Sequence, residues 1–123
     1  MNILVVDDDP AIVDAIQSAL ISRGHEVMVA YDGAQGIAQC EEQNYDVVIV
    51  DLFMPEKDGL QMILDLQDYT LKPRIIAISG MFDYGNDYLD TAKLFGADDT
   101  LGKPFSFREL VETAERLGAQ IGQ

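Results

Sequence analysis

Three short runs of apolar residues organise this chain: "ILVV" (3–6), "VVIV" (47–50) and "IIAI" (75–78). They are β-branched and continuous rather than alternating, the pattern of strands buried on both faces of a parallel sheet. A weaker run, "EVMVA" (26–30), and a short "DTL" (99–101) supply two further strands. Helical periodicity fills the intervals. Ile12, Val13, Ile16, Ala19 and Leu20 fall on one face of a first helix, with the spacing of an amphipathic stripe. Further helices are predicted over roughly 33–43, 59–69 and 85–95, and a last one carries Leu110, Val111, Ala114, Leu117 and Ile121 on one side. Its start, "SFRE", places Ser106 and Glu109 for a capping box. Five β-α units in succession predict an α/β fold with a parallel sheet and right-handed crossovers. No linker or low-complexity segment interrupts them, so residues 1–123 read as one domain, and the start at Met1 leads us to expect a full-length protein.

Composition narrows the partners. The chain has 123 residues, enough to close one hydrophobic core. Its 22 acidic against 8 basic side chains give a net charge of −14. A field of that sign repels nucleic-acid phosphates and anionic lipid and favours cations and basic surfaces. Neither direct nucleic-acid nor membrane binding is therefore expected. With no apolar run of about 18 residues and no signal-like leader, a cytoplasmic location is expected. A single cysteine, Cys40, excludes an intrachain disulfide and a multi-cysteine zinc site, and is read as a half-buried structural thiol. His25, after Gly24, reads as a surface turn residue.

In open parallel sheets, chemistry collects at the carboxyl ends of the strands. Here Asp7 and Asp8 follow the first strand, Asp51 the third, Ser79 the fourth and Lys103 the fifth, while Asp32 after the second is better explained as a helix cap. The triplet "DDD" (7–9) divides. Asp9 precedes Pro10, which suits the first helical position, so Asp9 is the expected N-cap. Asp7 and Asp8 remain, near Asp51 if strands one and three are neighbours. Two carboxylates about 4 Å apart repel by roughly 4 kcal/mol at an effective dielectric of 20. Such a cluster protonates, spreads or holds a cation. Oxygen-only ligands with few protein groups favour Mg²⁺, for which Mn²⁺ could substitute. Asp51 ends a fully apolar strand, and Met54-Pro55 disfavours its service as a cap. An Asp carboxylate there can attack a phosphoryl group, given neutralisation of charge by a metal on Asp7 and Asp8, by Lys103 and by the Ser79 hydroxyl. Gly80 leaves backbone room for an incoming donor.

The motifs "VVDDD", "VDLFMPEKDG", "AISG", "FGADD" and "GKPF" occur in that order along the whole chain. In sequence and separation they resemble the receiver domains of two-component response regulators. The resemblance implies a flavodoxin-like (βα)5 sandwich with a five-stranded parallel sheet in the order 2-1-3-4-5. It also implies that Asp51 is the phospho-acceptor, that Asp8 and Asp7 hold Mg²⁺ with the backbone carbonyl of Phe53, and that Ser79 and Lys103 sense the phosphate. A cis Lys103-Pro104 peptide is implied as well. The expected partners are a histidine kinase or histidine phosphotransfer protein and a downstream protein target. The chain itself is expected as a monomer or phosphorylation-dependent dimer that turns over no separate substrate.

Two departures stand out. Thr100 occupies the position, three residues before the lysine, where the family usually has Tyr or Phe, so the relay from Ser79 to the surface must differ. About two extra residues lie between Ser79 and Gly96, in a loop whose Phe82, Tyr84 and Tyr88 are expected to carry switching or partner contacts. Two alternatives stay open: a receiver-like scaffold that signals by binding alone, and a phosphohydrolase of the haloacid dehalogenase type. Against the latter, Phe53 stands where a second acid is wanted. A flavin-binding flavodoxin is disfavoured, since "VVDDDP" puts acids where a phosphate loop is needed.

The residues flanking the predicted acceptor, Phe53 and Met81, cannot align a hydrolytic water. Slow self-dephosphorylation is therefore expected. Replacing Phe53 with Asn should speed loss of phosphate from the isolated phosphoprotein several-fold, measured as the decay of the phosphorylated mass; an unchanged decay would refute the expectation.

Overall fold

A computed structural model describes residues 1–52, 59–80 and 86–120, the side chains of 86–89 excepted. Five strands form one parallel sheet in the order β2-β1-β3-β4-β5. In chain order the elements are β1 (Asn2–Val6), α1 (Pro10–Ile21), β2 (Glu26–Ala30), α2 (Gly33–Glu42), β3 (Val47–Asp51), α3 (Gly59–Leu66), β4 (Arg74–Gly80), α4 (Asn86–Phe95), β5 (Asp99–Lys103) and α5 (Phe107–Gly118).

The continuous apolar runs have a direct explanation. Side chains alternate across a strand, and both faces of this sheet are covered. Ile3, Val5, Val47, Ile49, Ile76 and Ile78 pack with Val13, Ile16 and Leu20 of α1 and with Leu110, Ala114 and Leu117 of α5. Leu4, Val6, Val48, Val50, Ile75 and Ala77 face the other way, onto Cys40, Met62, Ile63, Leu66 and Ala92 of α2, α3 and α4. The central strands β1, β3 and β4 therefore carry unbroken apolar runs, whereas the edge strand β2 alternates, with Glu26 and Met28 exposed.

The ends of the elements follow local chemistry. Asp9 is the N-cap of α1, its carboxylate accepting from the Ala11 N–H at 3.0 Å, with Pro10 as the first helical residue. Asp32 caps α2 through the Gln35 N–H at 2.8 Å, and Ser106 caps α5 through the Glu109 N–H at 3.0 Å. The third helix is shorter than its predicted 59–69. Beyond Leu66 the bonds tighten to i→i−3, with Gln67, Asp68 and Tyr69 donating to Leu64, Asp65 and Leu66. The fifth strand is longer than "DTL" and runs to Lys103; Asp51 and Ser79 likewise lie inside β3 and β4 rather than after them. Ile121 lies outside the described residues.

Two minor residues are placed differently from their sequence reading. Cys40 is buried rather than half-buried, and desolvation pushes its thiol up to about 11, which keeps it protonated and inert. His25 is no free turn residue: its Nε2 lies 2.9 Å from Glu115 and its Nδ1 3.2 Å from the Met1 amino nitrogen. Arg23 donates to the same carboxylate at 3.0 and 3.2 Å. Hydrogen bonds from Arg23 and His25 hold the Glu115 carboxyl below its ordinary range, tying the α1–β2 turn to α5. No helix among the described residues is long and apolar enough to cross a membrane.

The cap assignment divides the aspartate triplet in a testable way. Asp9→Ala removes one partner of a helix N-terminal N–H and should cost about 1 kcal/mol of stability, measured by urea unfolding.

Candidate functional site

Parallel register brings the polar residues to one edge. Val6 of β1 pairs with Val50 of β3, so Asp7 and Asp51 come next, side by side on adjacent strands. Asp51 is level with Ile78 on β4, and Gly80 of β4 is level with Lys103 on β5. Asp7, Asp51 and Lys103 continue the alternation of Val5, Ile49 and Leu101, which face α1 and α5.

Asp7 is fully buried and Asp51 is 5% exposed, while Asp8 is exposed. One carboxylate oxygen from each of the three lies within 4.8 Å of the others. The Lys103 ammonium bridges the two buried acids, 3.3 Å from Asp7 Oδ2 and 3.3 Å from Asp51 Oδ2. Burial of Lys103 disfavours its charge, but Asp51 and Asp7 outweigh this and leave its pKa above the ordinary lysine value. The other oxygen of Asp7 accepts from the Asp9 N–H at 3.0 Å, which locks the turn from β1 into α1. Ser79 is buried at the same edge, its hydroxyl donating weakly to the Gly80 carbonyl at 3.4 Å. Thr100 is half-buried on β5, level with Ala77. The Lys103-Pro104 peptide is cis. Beside the ammonium, Ile12, Pro104, Phe105 and Phe107 line a shallow apolar cleft of about 190 Å³.

Four of the predicted site residues thus meet in one cluster: Asp7, Asp8, Asp51 and Lys103. Ser79 and Gly80 stand on the same rim. Phe53, Met81, Phe82 and Tyr84 lie outside the described residues, as does the side chain of Tyr88. Among the described residues, three acids face one ammonium in this cluster, with two of the carboxylates away from water. That donor set of clustered oxygens, open to solvent at Asp8, fits a hard divalent cation.

A family model, the response regulator receiver domain, matches residues 3–115. This chain belongs to that family. Among curated proteins, the receiver is similar to the transcriptional regulatory protein TrcR of Mycobacterium tuberculosis, at 34% identity over 114 residues covering 90% of this chain and 42% of that protein. It is similar also to DltR of Streptococcus agalactiae, at 36% over 114 residues covering 90% and 49%. The chain spans about half the length of these relatives. Among solved structures, the Francisella response regulator 1452 receiver domain superposes with a TM-score of 0.86 at 31% identity, covering 97% of each chain. The response regulator TrrA of Thermotoga maritima, solved in complex with Mg²⁺-BeF, gives 0.82 at 31% identity, covering 94% of this chain and 97% of that one. The receiver is thus a domain of the two-component response-regulator type, with the flavodoxin-like sheet order its sequence implies.

The ion pair at the centre of the cluster lowers the cost of keeping its buried carboxylates charged without metal. Lys103→Met removes an ammonium that pairs with two buried carboxylates. It should destabilise the protein in EDTA by about 2–3 kcal/mol, the low side of the cost of breaking a buried pair, because the ammonium is partly exposed. Urea unfolding of the two proteins provides the measurement.

Proposed function

We propose that this receiver is a phospho-acceptor switch in which Asp51 takes a phosphoryl group from a phosphohistidine of a histidine kinase or histidine phosphotransfer protein. The observation that carries the reading is a nearly buried carboxylate at a strand end, 3.3 Å from an ammonium and within 4.8 Å of two further acids. In this reading an Asp51 oxygen attacks phosphorus, the new O–P bond forms, and the P–N bond to the donor imidazole breaks with its electron pair returning to the ring nitrogen. Asp7 and Asp8, with the Phe53 carbonyl, would hold Mg²⁺ or Mn²⁺, which when bound supplies neutralisation of the phosphoryl oxygens. Lys103 then exchanges its contact with the Asp51 carboxylate for one with the phosphate, retaining Asp7 as its second anchor. Ser79 donates its hydroxyl to the phosphoryl group instead of to the Gly80 carbonyl. With Thr100 in place of an aromatic, the change spreads from the β4 end rather than through a swinging ring, and it alters affinity for a downstream protein.

The similarity to TrrA, solved in complex with Mg²⁺-BeF, supports a metal at this edge. Residues 1–123 act in this reading as one receiver domain that modifies itself and turns over no separate substrate. The family match gives no support to the haloacid dehalogenase alternative. A scaffold that signals by binding alone is separated by experiment. Incubated with Mg²⁺ and acetyl phosphate, the wild type should gain the mass of one phosphoryl group and Asp51→Asn should gain none. Asp8→Asn should weaken Mg²⁺ binding at least tenfold in calorimetric titration. No mass gain by the wild type in the presence of Mg²⁺ would favour the scaffold.

A further inference from the structure

Gly59 opens α3, and it is buried against the strand that carries the acceptor. Its N–H donates to the Leu52 carbonyl at 3.2 Å, the residue after Asp51. A Cβ at this position would overlap the carbonyl oxygen of Asp51 and would stand 2.7 Å from Leu52 Cα and 2.9 Å from the Asp51 carbonyl carbon. All three are backbone atoms, and their freedom to retreat is small. Asp51 is in register with Ile78, and the Leu52 N–H donates to the Ile78 carbonyl at 2.9 Å. On the other side, β3 is paired with β1 up to Val50.

The other tight helical glycine of the core behaves differently. A Cβ at Gly36 of α2 would meet Met62 Cε at 2.7 Å, Met62 Sδ at 3.0 Å and Val6 Cγ2 at 3.1 Å. Those are ends of side chains, of which the methionine has three rotatable bonds and can turn aside. Strain introduced at Gly36 is therefore absorbed within the core. Strain introduced at Gly59 has to move the peptide that holds the acceptor.

We infer that Gly59 is a positioning residue: the missing side chain lets the start of α3 seat directly on the Asp51-Leu52 peptide and fixes the acceptor carboxylate against Asp7, Asp8 and Lys103. The inference rests on the phospho-acceptor reading for its purpose, but its geometry can be tested apart from it. A displacement of a fraction of an ångström separates ligand oxygens that must converge on one cation, and misplacement on the ångström scale costs reacting groups about 100-fold. Groups supporting metal ligands from outside are worth about 10- to 100-fold in affinity.

The experiment compares wild type, Gly59→Ala and Gly36→Ala, the last as a matched insertion of one methyl group into the same core. Mg²⁺ affinity is read by calorimetry, phosphorylation by acetyl phosphate from intact mass, and folding by near-ultraviolet circular dichroism and thermal unfolding. Gly59→Ala should bind Mg²⁺ at least tenfold more weakly and be phosphorylated at least tenfold more slowly at equal Mg²⁺. Gly36→Ala should lose thermal stability and keep both properties within twofold of wild type. Wild-type affinity in Gly59→Ala, or an equal loss in Gly36→Ala, would overturn the inference. If the wild type binds Mg²⁺ but accepts no phosphoryl group, the phospho-acceptor reading fails while the affinity comparison still decides the role of Gly59. Should Gly59→Ala be unfolded in buffer, the titrations are run on all three proteins in sucrose, which favours the compact state. A variant still unfolded there counts against a role confined to positioning.

Discussion

The constraint on which this structure turns is the confinement of one ammonium between two buried carboxylates. Lys103 reaches Asp7 and Asp51 at 3.3 Å each. At an effective dielectric of 20, each contact is worth about 5 kcal/mol of attraction, and each carboxylate pair within 4.8 Å costs at least about 3 kcal/mol. Those attractions offset part of the repulsion among the three acids, and Asp7 accepts a further bond from the Asp9 N–H. Taking Asp7 and Asp51 out of water carries a penalty that pairing with the lysine reduces. The cluster is thus held together by the fold around it.

The fold imposes that confinement because the acids cannot retreat. Asp7 and Asp51 extend adjacent strands whose preceding residues, Val6 and Val50, are fully buried and paired in register. Sliding either carboxylate toward solvent would break ladder hydrogen bonds and expose apolar side chains on both faces of the sheet. Asp7 is held further by its bond from the Asp9 N–H, and Asp9 by its own capping bond to Ala11. The three consecutive aspartates are therefore one device with three duties. The first anchors the ammonium, the second opens the cluster to solvent, and the third starts the helix that covers one face of the sheet.

Much of this was legible in the chain because the information is local. The β-branched runs specify buried strands, Pro10 marks Asp9 as a cap, and the five β-α units leave a parallel sheet as the economical topology. Acids, hydroxyl and lysine at strand ends could be assigned to one edge without knowing any distance. Other features depend on residues far apart in sequence. Nothing near His25 announces Glu115, 90 positions away, and a Gly-His turn reads as solvent-exposed until α5 is packed against it. Strands β3, β4 and β5 run past their apolar residues for the same reason. Lys103 and Ser79 are polar and look like loop residues, yet pairing with Gly80 and Gly102 keeps them in the sheet.

Gly59 shows the same limit at closer range. In the sequence Gly59 opens the helix expected over 59–69, so the glycine is easily taken as part of a helix start. What makes it specific is a contact across the end of β3, where a hydrogen atom fits and a methyl group does not. The site is therefore shaped from two directions. Charge draws Asp51 toward Lys103, and steric contact from the start of α3 sets how far its backbone can move. Electrostatics alone would let the carboxylate follow the ammonium wherever the lysine's flexible stem allowed. The rigid seat of α3 on the Asp51-Leu52 peptide converts that loose attraction into a fixed geometry, which is what a group must have if it is to meet an in-line phosphoryl donor.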